Sequence, residues 1–240
     1  GRDGSDANYS ANYGYEGEID SEPLNDLRVR QVKNMMVLTL MSMGTPMISM
    51  GDEVLRTQKG NNNAYCQDNE LSWLNWDLNA LQQEMLNFTK RLIRLRSAGK
   101  LRSKAHRATV LGKALRNSRL QWHGVRPFQP DWSENSHSVG MMVYQGEYGA
   151  YSFIFVNAFW KDLTVELPPP PRNSRRIWYK IIDTSRHTAD EAISLEASEQ
   201  FQAGDLIEVE ARSIVLFSCL GLEPGSDTIA DAAQDLKHFD

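Results

Sequence analysis

The sequence predicts an α/β segment followed by an all-β domain. Three observations carry that expectation. A helix-length apolar stretch at residues 27–43 is followed, after Gly44, by a strand-length apolar run at 46–50. A second helix, opened by Asp77 or Asn79, sets Leu81, Met85, Phe88, Leu92 and Leu95 at steps of 4, 3, 4 and 3. Beyond about Leu120, short β-branched and aromatic runs alternate with turn residues, as in an antiparallel sheet.

Taken in order, residues 1–23 are rich in Gly, Asn, Asp, Ser and Tyr and read as a long loop. Asn25 or Asp26 is expected to cap the first helix. Its first half keeps a polar face of Arg28, Arg30, Gln31, Lys33 and Asn34. Its second half, with Met35, Met36, Leu40 and Met43, is apolar nearly all round and calls for burial on most sides. Gly44 stops it. Pro46 to Met50 then reads as a buried strand, and residues from Gly51 to about Asn75 as a second polar loop. The second helix ends near Ala98-Gly99. Six strands are expected at 139–144, 151–156, 163–167, 177–182, 206–209 and 214–219. Pro168 to Pro171 reads as an extended surface link, because proline cannot donate to a ladder. One strand makes no sheet, so the first segment needs partner strands from a preceding region or another subunit.

Composition narrows the function classes. Of 240 residues, 41% are hydrophobic and 24% charged, which excludes wholesale disorder. The longest apolar-rich run, residues 35–43, is too short for a bilayer that needs about 20, so no membrane partner is expected. No apolar leader follows Gly1, and two cysteines, Cys66 and Cys219, fit a reducing compartment, so a cytoplasmic protein is expected. The net charge of −5 sits mostly in the tail 222–240, where five acids face Lys237. Residues 85–130 hold twelve Lys and Arg and no acid. Such a block suits phosphate backbones or a solvated helix face. His106, His123, His137, His187 and His238 are scattered, with no HExxH and no Cys/His metal spacing, so neither metal nor cofactor is expected. No GxSxG, P-loop or GxGxxG occurs.

Four groups of residues are site candidates. Asp52 and Glu53 end the expected strand, where α/β sheets bind ligands. Adjacent strand residues point to opposite faces, so these two cannot form a facing carboxylate pair and read as structural. Residues 60–76, GNNNAYCQDNELSWLNW, combine uncharged amides with Tyr65, Trp73 and Trp76. Sugars present hydroxyl rims and apolar ring faces, which amides and aromatics match. The competing reading is a packed loop with left-handed asparagines. Arg2-Asp3-Gly4 with Asn8, Asn12 and Tyr13 forms a similar polar group, or a loose terminus. Trp122-His123-Gly124, with Pro127, Pro130, Asp131 and Trp132, reads as an inter-domain staple, the alternative being an aromatic glucan contact.

Four segments carry a family resemblance: GRDGSDANYSANYG, LRVRQVKNMMVLTLMSMGTPMISMGDE, GNNNAYCQDNELSWLNW and LQWHGVRPFQPDWSENSHS. In this order they closely resemble the C-terminal part of isoamylase-type glycogen debranching enzymes of the α-amylase superfamily. The resemblance implies that residues 1–118 are the last part of a (β/α)8 barrel and 119–221 a C-terminal antiparallel β-sandwich; residues 222–240, low in apolar content, read as an acidic, disordered tail. The resemblance also implies cleavage of α-1,6 branch linkages in glycogen or similar glucans, with retention. The catalytic carboxylates would then precede Gly1, and the partners would be a branched α-glucan and the missing N-terminal part of the same enzyme, not nucleic acid. Arg2, Asp3, Asn61, Asn62, Asn63, Tyr65, Asp68, Asn69 and Trp73 match family loops at the cleft and are implied substrate contacts. A plastid location would follow for a plant or algal source. A non-catalytic glucan-binding subunit and an α-1,4-specific relative are the alternatives.

Overall fold

The computed structural model describes residues 7, 9–15, 17–42, 44–101, 118–145, 150–170, 177–194 and 199–219. Arg2 and Asp3, the part of the basic block between 102 and 117, and the acidic tail lie outside the described residues.

Helix α1 spans Glu22–Met41, with Ser21 at its N-cap and Pro23 in the first turn. Proline suits that turn because its missing N–H would have had no partner there. The helix therefore starts ahead of the expected Asn25 or Asp26 cap, and Asn25 instead donates its side-chain amide to the Ile19 carbonyl at 2.9 Å. The expected polar face is also corrected. Lys33 and Asn34 are buried beside Met36, Val37 and Leu40, whereas Met35 and Leu38 keep 61% and 36% of their surface exposed. Among the described residues, the helix is covered from one side only. Arg96 of the second helix donates to the carbonyls of Leu40, Ser42 and Gly44, closing the last turn of α1 from outside.

Residues 46–50 do not form the expected strand. No described strand lies beside them to take their N–H and C=O groups, and Met47 is 91% exposed. The expected α/β barrel portion is accordingly not displayed. A 3-10 turn, Asp52–Val54, leads to the second polar loop. Helix α2, Ala80–Leu101, runs slightly past its expected stop at Ala98-Gly99. Asn79 caps it reciprocally: Asn79 Oδ1 accepts the Gln82 N–H at 2.9 Å, and Gln82 Oε1 accepts the Asn79 N–H at 3.0 Å. Met85, Phe88 and Leu92 are its buried stripe.

The rest is antiparallel. Strands β1 (Ser118–His123), β2 (Ser138–Gln145), β3 (Ala150–Asn157), β4 (Leu163–Glu166), β5 (Ile177–Asp183), β6 (Gln200–Gln202), β7 (Leu206–Val209) and β8 (Ser213–Cys219) form two sheets. The larger has the order β1-β2-β3-β8-β5-β6, and β4 pairs with β7 in the smaller. Period-2 alternation sorts side chains between two cores. Ile214 and Leu216 of β8 pack with α1 and α2, whereas Val215, Phe217 and Cys219 pack with Val165 of β4 and Ile207 and Val209 of β7. A register shift in β5 makes Ile181 the extra residue, so Ile181 and Ile182 both reach the helix-side core. Pro168 and Pro170 are buried and do not form the expected surface link. Pro168 offers its carbonyl to the buried Trp178 indole at 2.8 Å. Strands β1 and β6, and a four-residue helix α3 (Ala189–Ala192), were not foreseen.

Candidate functional site

The second polar loop is built from Gly51 onward. Gly51 has φ 100°, and a Cβ there would lie 2.7 Å from the Arg56 side chain. The Glu53 carboxylate accepts the Gly51 N–H at 2.9 Å and closes the 3-10 turn, while Asp52 is exposed. Arg56 donates to the Ser72 carbonyl at 3.2 Å and ties this turn to the far side of the loop.

Between those points the asparagines fold the chain on itself. Asn61 Oδ1 accepts the Asn63 N–H at 2.9 Å, Asn63 Oδ1 the Tyr65 N–H at 3.3 Å, and Asn69 Oδ1 the Leu71 N–H at 3.0 Å. These are Asx turns, in which a side chain mimics a backbone turn. Left-handed asparagines are not the device used: the positive-φ residues here are Leu55, Lys59 and Gly60. The aromatics stay outside, with Tyr65 94%, Trp73 59% and Trp76 82% exposed. Trp73 Nε1 donates to Asp68 Oδ1 at 2.9 Å, which fixes the indole in its outward pose. Asn62 is exposed at the tip. The loop thus offers flat apolar faces among hydrogen-bonding groups that are mostly neutral amides, suited to stacking and polar contact.

Sequence reasoning missed Arg28. Its guanidinium donates to the carbonyls of Asn12, Tyr15 and Gly17 and gathers the first polar loop against α1. A spacing of more than ten residues between donor and acceptors leaves no local pattern to read. The Asp68–Trp73 bond was equally silent, although both residues were singled out.

A second region surrounds His123. Its ring is buried, Nδ1 accepts the Phe128 N–H at 3.0 Å, and Nε2 has no hydrogen-bond partner among the described residues. Burial pushes its pKa below the usual histidine value. Trp122 and Trp132 flank it on the surface, with ring centroids 5.4 Å apart and planes at 78°. A polar groove of about 570 Å³ between α1 and β5 holds Arg30, Lys180, Asp183, Arg186, Glu199 and Glu210. Its charges are spent on each other: Arg30 meets Glu210 at 3.2 Å, Lys180 meets Glu199 at 2.7 Å and Arg186 meets Asp183 at 3.4 Å. Among the described residues, no group of three or more His, Cys, Asp or Glu is placed to hold a metal ion. No helix among them is long and apolar enough to cross a membrane.

Residues 121–213 match the family described as Isoamylase 1-3, C-terminal. In that stretch the chain is similar to an isoamylase-type C-terminal domain. Similar proteins extend the likeness beyond that domain. Isoamylase 1, chloroplastic, of Arabidopsis thaliana is 33% identical over 199 residues, covering 82% of this chain and 24% of that protein. A glycogen debranching enzyme of Dickeya chrysanthemi is 48% identical over 97 residues, 40% of this chain and 14% of its own length. The chain therefore spans a quarter or less of the curated relatives it matches. Among solved structures, the GBS pullulanase SAP in complex with maltotetraose has a TM-score of 0.53 at 18% identity, covering 83% of this chain and 29% of that one. The catalytic module of the pneumococcal glycogen-degrading factor SpuA has a TM-score of 0.51 at 16% identity, covering 84% and 33%. At such identities the likeness is of fold. It extends over more of the chain than residues 121–213.

Proposed function

We propose that this chain is the C-terminal portion of a glycoside hydrolase of the α-amylase superfamily that cleaves α-1,6 branch linkages in glycogen or similar glucans. Residues 1–118 complete a (β/α)8 barrel supplied mainly by an N-terminal part, residues 119–221 form the β-sandwich, and 222–240 are an acidic tail. The relatives named isoamylase and glycogen debranching enzyme support the reaction. In this reading one carboxylate attacks the anomeric carbon and a carboxylic acid protonates the leaving oxygen. Both belong to the N-terminal part, so the 240-residue chain is inactive by itself. The protein works in the cytoplasm, or in the plastid of a plant or alga.

One observation carries the role of this chain: Tyr65, Trp73 and Trp76 are exposed on a loop whose amides are tied into Asx turns. Arg2, Asp3, Asn61, Asn62, Asn63, Tyr65, Asp68, Asn69 and Trp73 are assigned to substrate contact, and Asp52 and Glu53 to the turn beneath. The test is product analysis with the intact enzyme on glycogen. Linear oligosaccharides released from branch points are expected, with Tyr65→Ala and Trp73→Ala raising KM by about 3- to 10-fold. Release from unbranched amylose, or unchanged KM in both variants, would refute the reading.

A further inference from the structure

The segment joining β1 to β2 is built around a buried imidazole. His123 takes the Phe128 N–H at 3.0 Å inside the loop. Gly124 N–H and Gln129 N–H both donate to the Arg126 carbonyl, at 3.2 and 3.3 Å. Glu166 of β4 donates its N–H to the Val125 carbonyl at 2.9 Å, which anchors the loop to the second sheet. A Cβ at Gly124 would lie 2.2 Å from the Gln129 carbonyl oxygen, so the chain approach tolerates only glycine. Asp131 takes the Ser133 N–H at 2.9 Å, and that bond holds its carboxyl below the usual aspartate value and fixes the turn beside Trp132. A loop this heavily pinned could have tucked its indoles inside. It leaves Trp122 41% and Trp132 66% exposed.

We propose that Trp122 and Trp132 form a second α-glucan contact, carried by the β domain and additional to the loop 60–76. The proposal rests on the glucan reading above and extends it to a surface that no catalytic role requires. Two indoles at 78° and 5.4 Å make a corner with two apolar walls. A pyranose ring has apolar faces and a hydroxyl rim, so it lies against one wall while its edge meets the other. Exposed Gln129, Ser133 and Asn135 in the same segment supply neutral donors and acceptors. Arg126 is outnumbered by Asp131 and Glu134 in this segment, so the charge does not favour a phosphate or another anion. The match is to a neutral polyhydroxyl chain. Distributing contacts over two patches raises the residence of a polymer at the molecule without a new catalytic group.

The experiment is native affinity electrophoresis of the 240-residue chain in gels with and without glycogen. Four variants are compared: Trp122→Ala with Trp132→Ala, Trp122→Phe with Trp132→Phe, Tyr65→Ala with Trp73→Ala, and Trp160→Ala, an exposed indole elsewhere. The alanine pair at 122 and 132 is expected to weaken glycogen retardation about 3- to 10-fold. The phenylalanine pair keeps most of the retardation, Trp160→Ala leaves it unchanged, and melting curves of all variants overlay the parent. Retardation unaffected by the alanine pair but lost on changing Tyr65 and Trp73 overturns the second contact and leaves the first reading standing. The converse pattern supports the second contact and removes the loop 60–76. An alanine pair that changes sedimentation but not retardation marks a protein contact and overturns the proposal. Absence of any retardation of the parent overturns both.

Discussion

Replacing Asn157 by Asp keeps the number of heavy atoms and nearly the shape, yet it should cost more stability than truncation to Ala. Asn157 is 1% exposed at the end of β3. Its Nδ2 donates to the carbonyls of Lys161, Val209 and Glu210 at 3.0, 3.1 and 2.9 Å, and its Oδ1 accepts the Phe159 N–H at 3.0 Å. One side chain thus joins the β3–β4 turn to the β7–β8 turn. In Asn157→Asp the donor becomes an acceptor facing three carbonyl oxygens, and ionisation would bury an uncompensated charge. A carboxyl in so dry a place titrates about 3 pH units above its free value. Each such step is worth ~1.4 kcal/mol, so the variant loses ~4 kcal/mol by neutral pH in addition to the lost bonds. For a chain of this size that lowers Tm by roughly 8–16 °C. The sign follows from proton binding. Between the free value near 4 and the raised folded value, the folded variant holds a proton that the unfolded chain has released. Stability therefore falls as pH rises through that window and returns toward that of Asn157→Ala near pH 4. Thermal melts followed by circular dichroism at pH 4.5, 6 and 7.5 measure it. A gap between the Asp and Ala variants that is the same at all three pH values would refute the assignment of the three carbonyl contacts.

Two further substitutions probe other buried polar groups. Asn34 donates to the Arg212 carbonyl at 2.8 Å and accepts from the Thr184 hydroxyl at 2.6 Å, so Asn34→Ala strands both groups in the seam between α1 and β8. A loss of ~2–3 kcal/mol in urea unfolding is expected, with coupling to Thr184→Val of at least ~0.5 kcal/mol in a double-mutant cycle; additive losses would show that the two do not interact. For His123, burial lowers the folded pKa, so the unfolded chain takes up a proton first as pH falls. Its contribution is intact above the unfolded value near 6.5 and is lost below it. His123→Asn keeps an acceptor for the Phe128 N–H and removes the titration, so its urea midpoint should fall less steeply than the parent's between pH 7 and 5; parallel slopes would count against the buried neutral imidazole.

What the sequence made legible follows from how far each determinant reaches. The stripe of Met85, Phe88 and Leu92 and the reciprocal cap of Asn79 with Gln82 are local, and both are present in α2. Six of the eight strands were readable because they alternate or carry β-branched residues. Strand β6, QFQ, is three residues long. Strand β1, SRLQWH, lies at an edge of the sheet with an exposed Leu120 and Trp122. Neither has the composition of a buried run. The strand expected at 46–50 failed for the opposite reason. Its apolar residues satisfied the local pattern, but a strand exists only through a neighbour, and none of the described strands adjoins it. At the candidate site, composition pointed to Tyr65 and Trp73, whereas Arg28 and the Asp68–Trp73 bond depend on chain geometry that spacing does not encode.

Lys33 and Asn34 give the sharpest case of a long-range determinant. Their polarity assigns them to the solvent side of α1, yet both are buried, and Lys33 falls in the same i, i+3, i+4, i+7 stripe as Met36, Val37 and Leu40. Beside the local Asn34–Gln31 bond, they have hydrogen-bond partners 150 or more residues away: the Lys33 ammonium donates to the carbonyls of Arg186 and His187 at 2.8 Å each, and Asn34 reaches Arg212 and Thr184. Burial lowers the Lys33 pKa, so the amine holds its place at some cost, and the two carbonyls offset that cost. Apolar burial alone would let α1 slide along the sheet, because Met36, Val37 and Leu40 meet Ile214 and Leu216 without direction. Hydrogen bonds have direction, and these fix the helix in one register on β8 and the turn after β5. The proposed boundary at residue 118 is therefore a division of the covalent chain and not of its packing: the side chains of α1 and α2 share one core with β5 and β8. The loop 60–76, which leads into α2, is in this way tied through that helix to the β domain that carries Trp122 and Trp132.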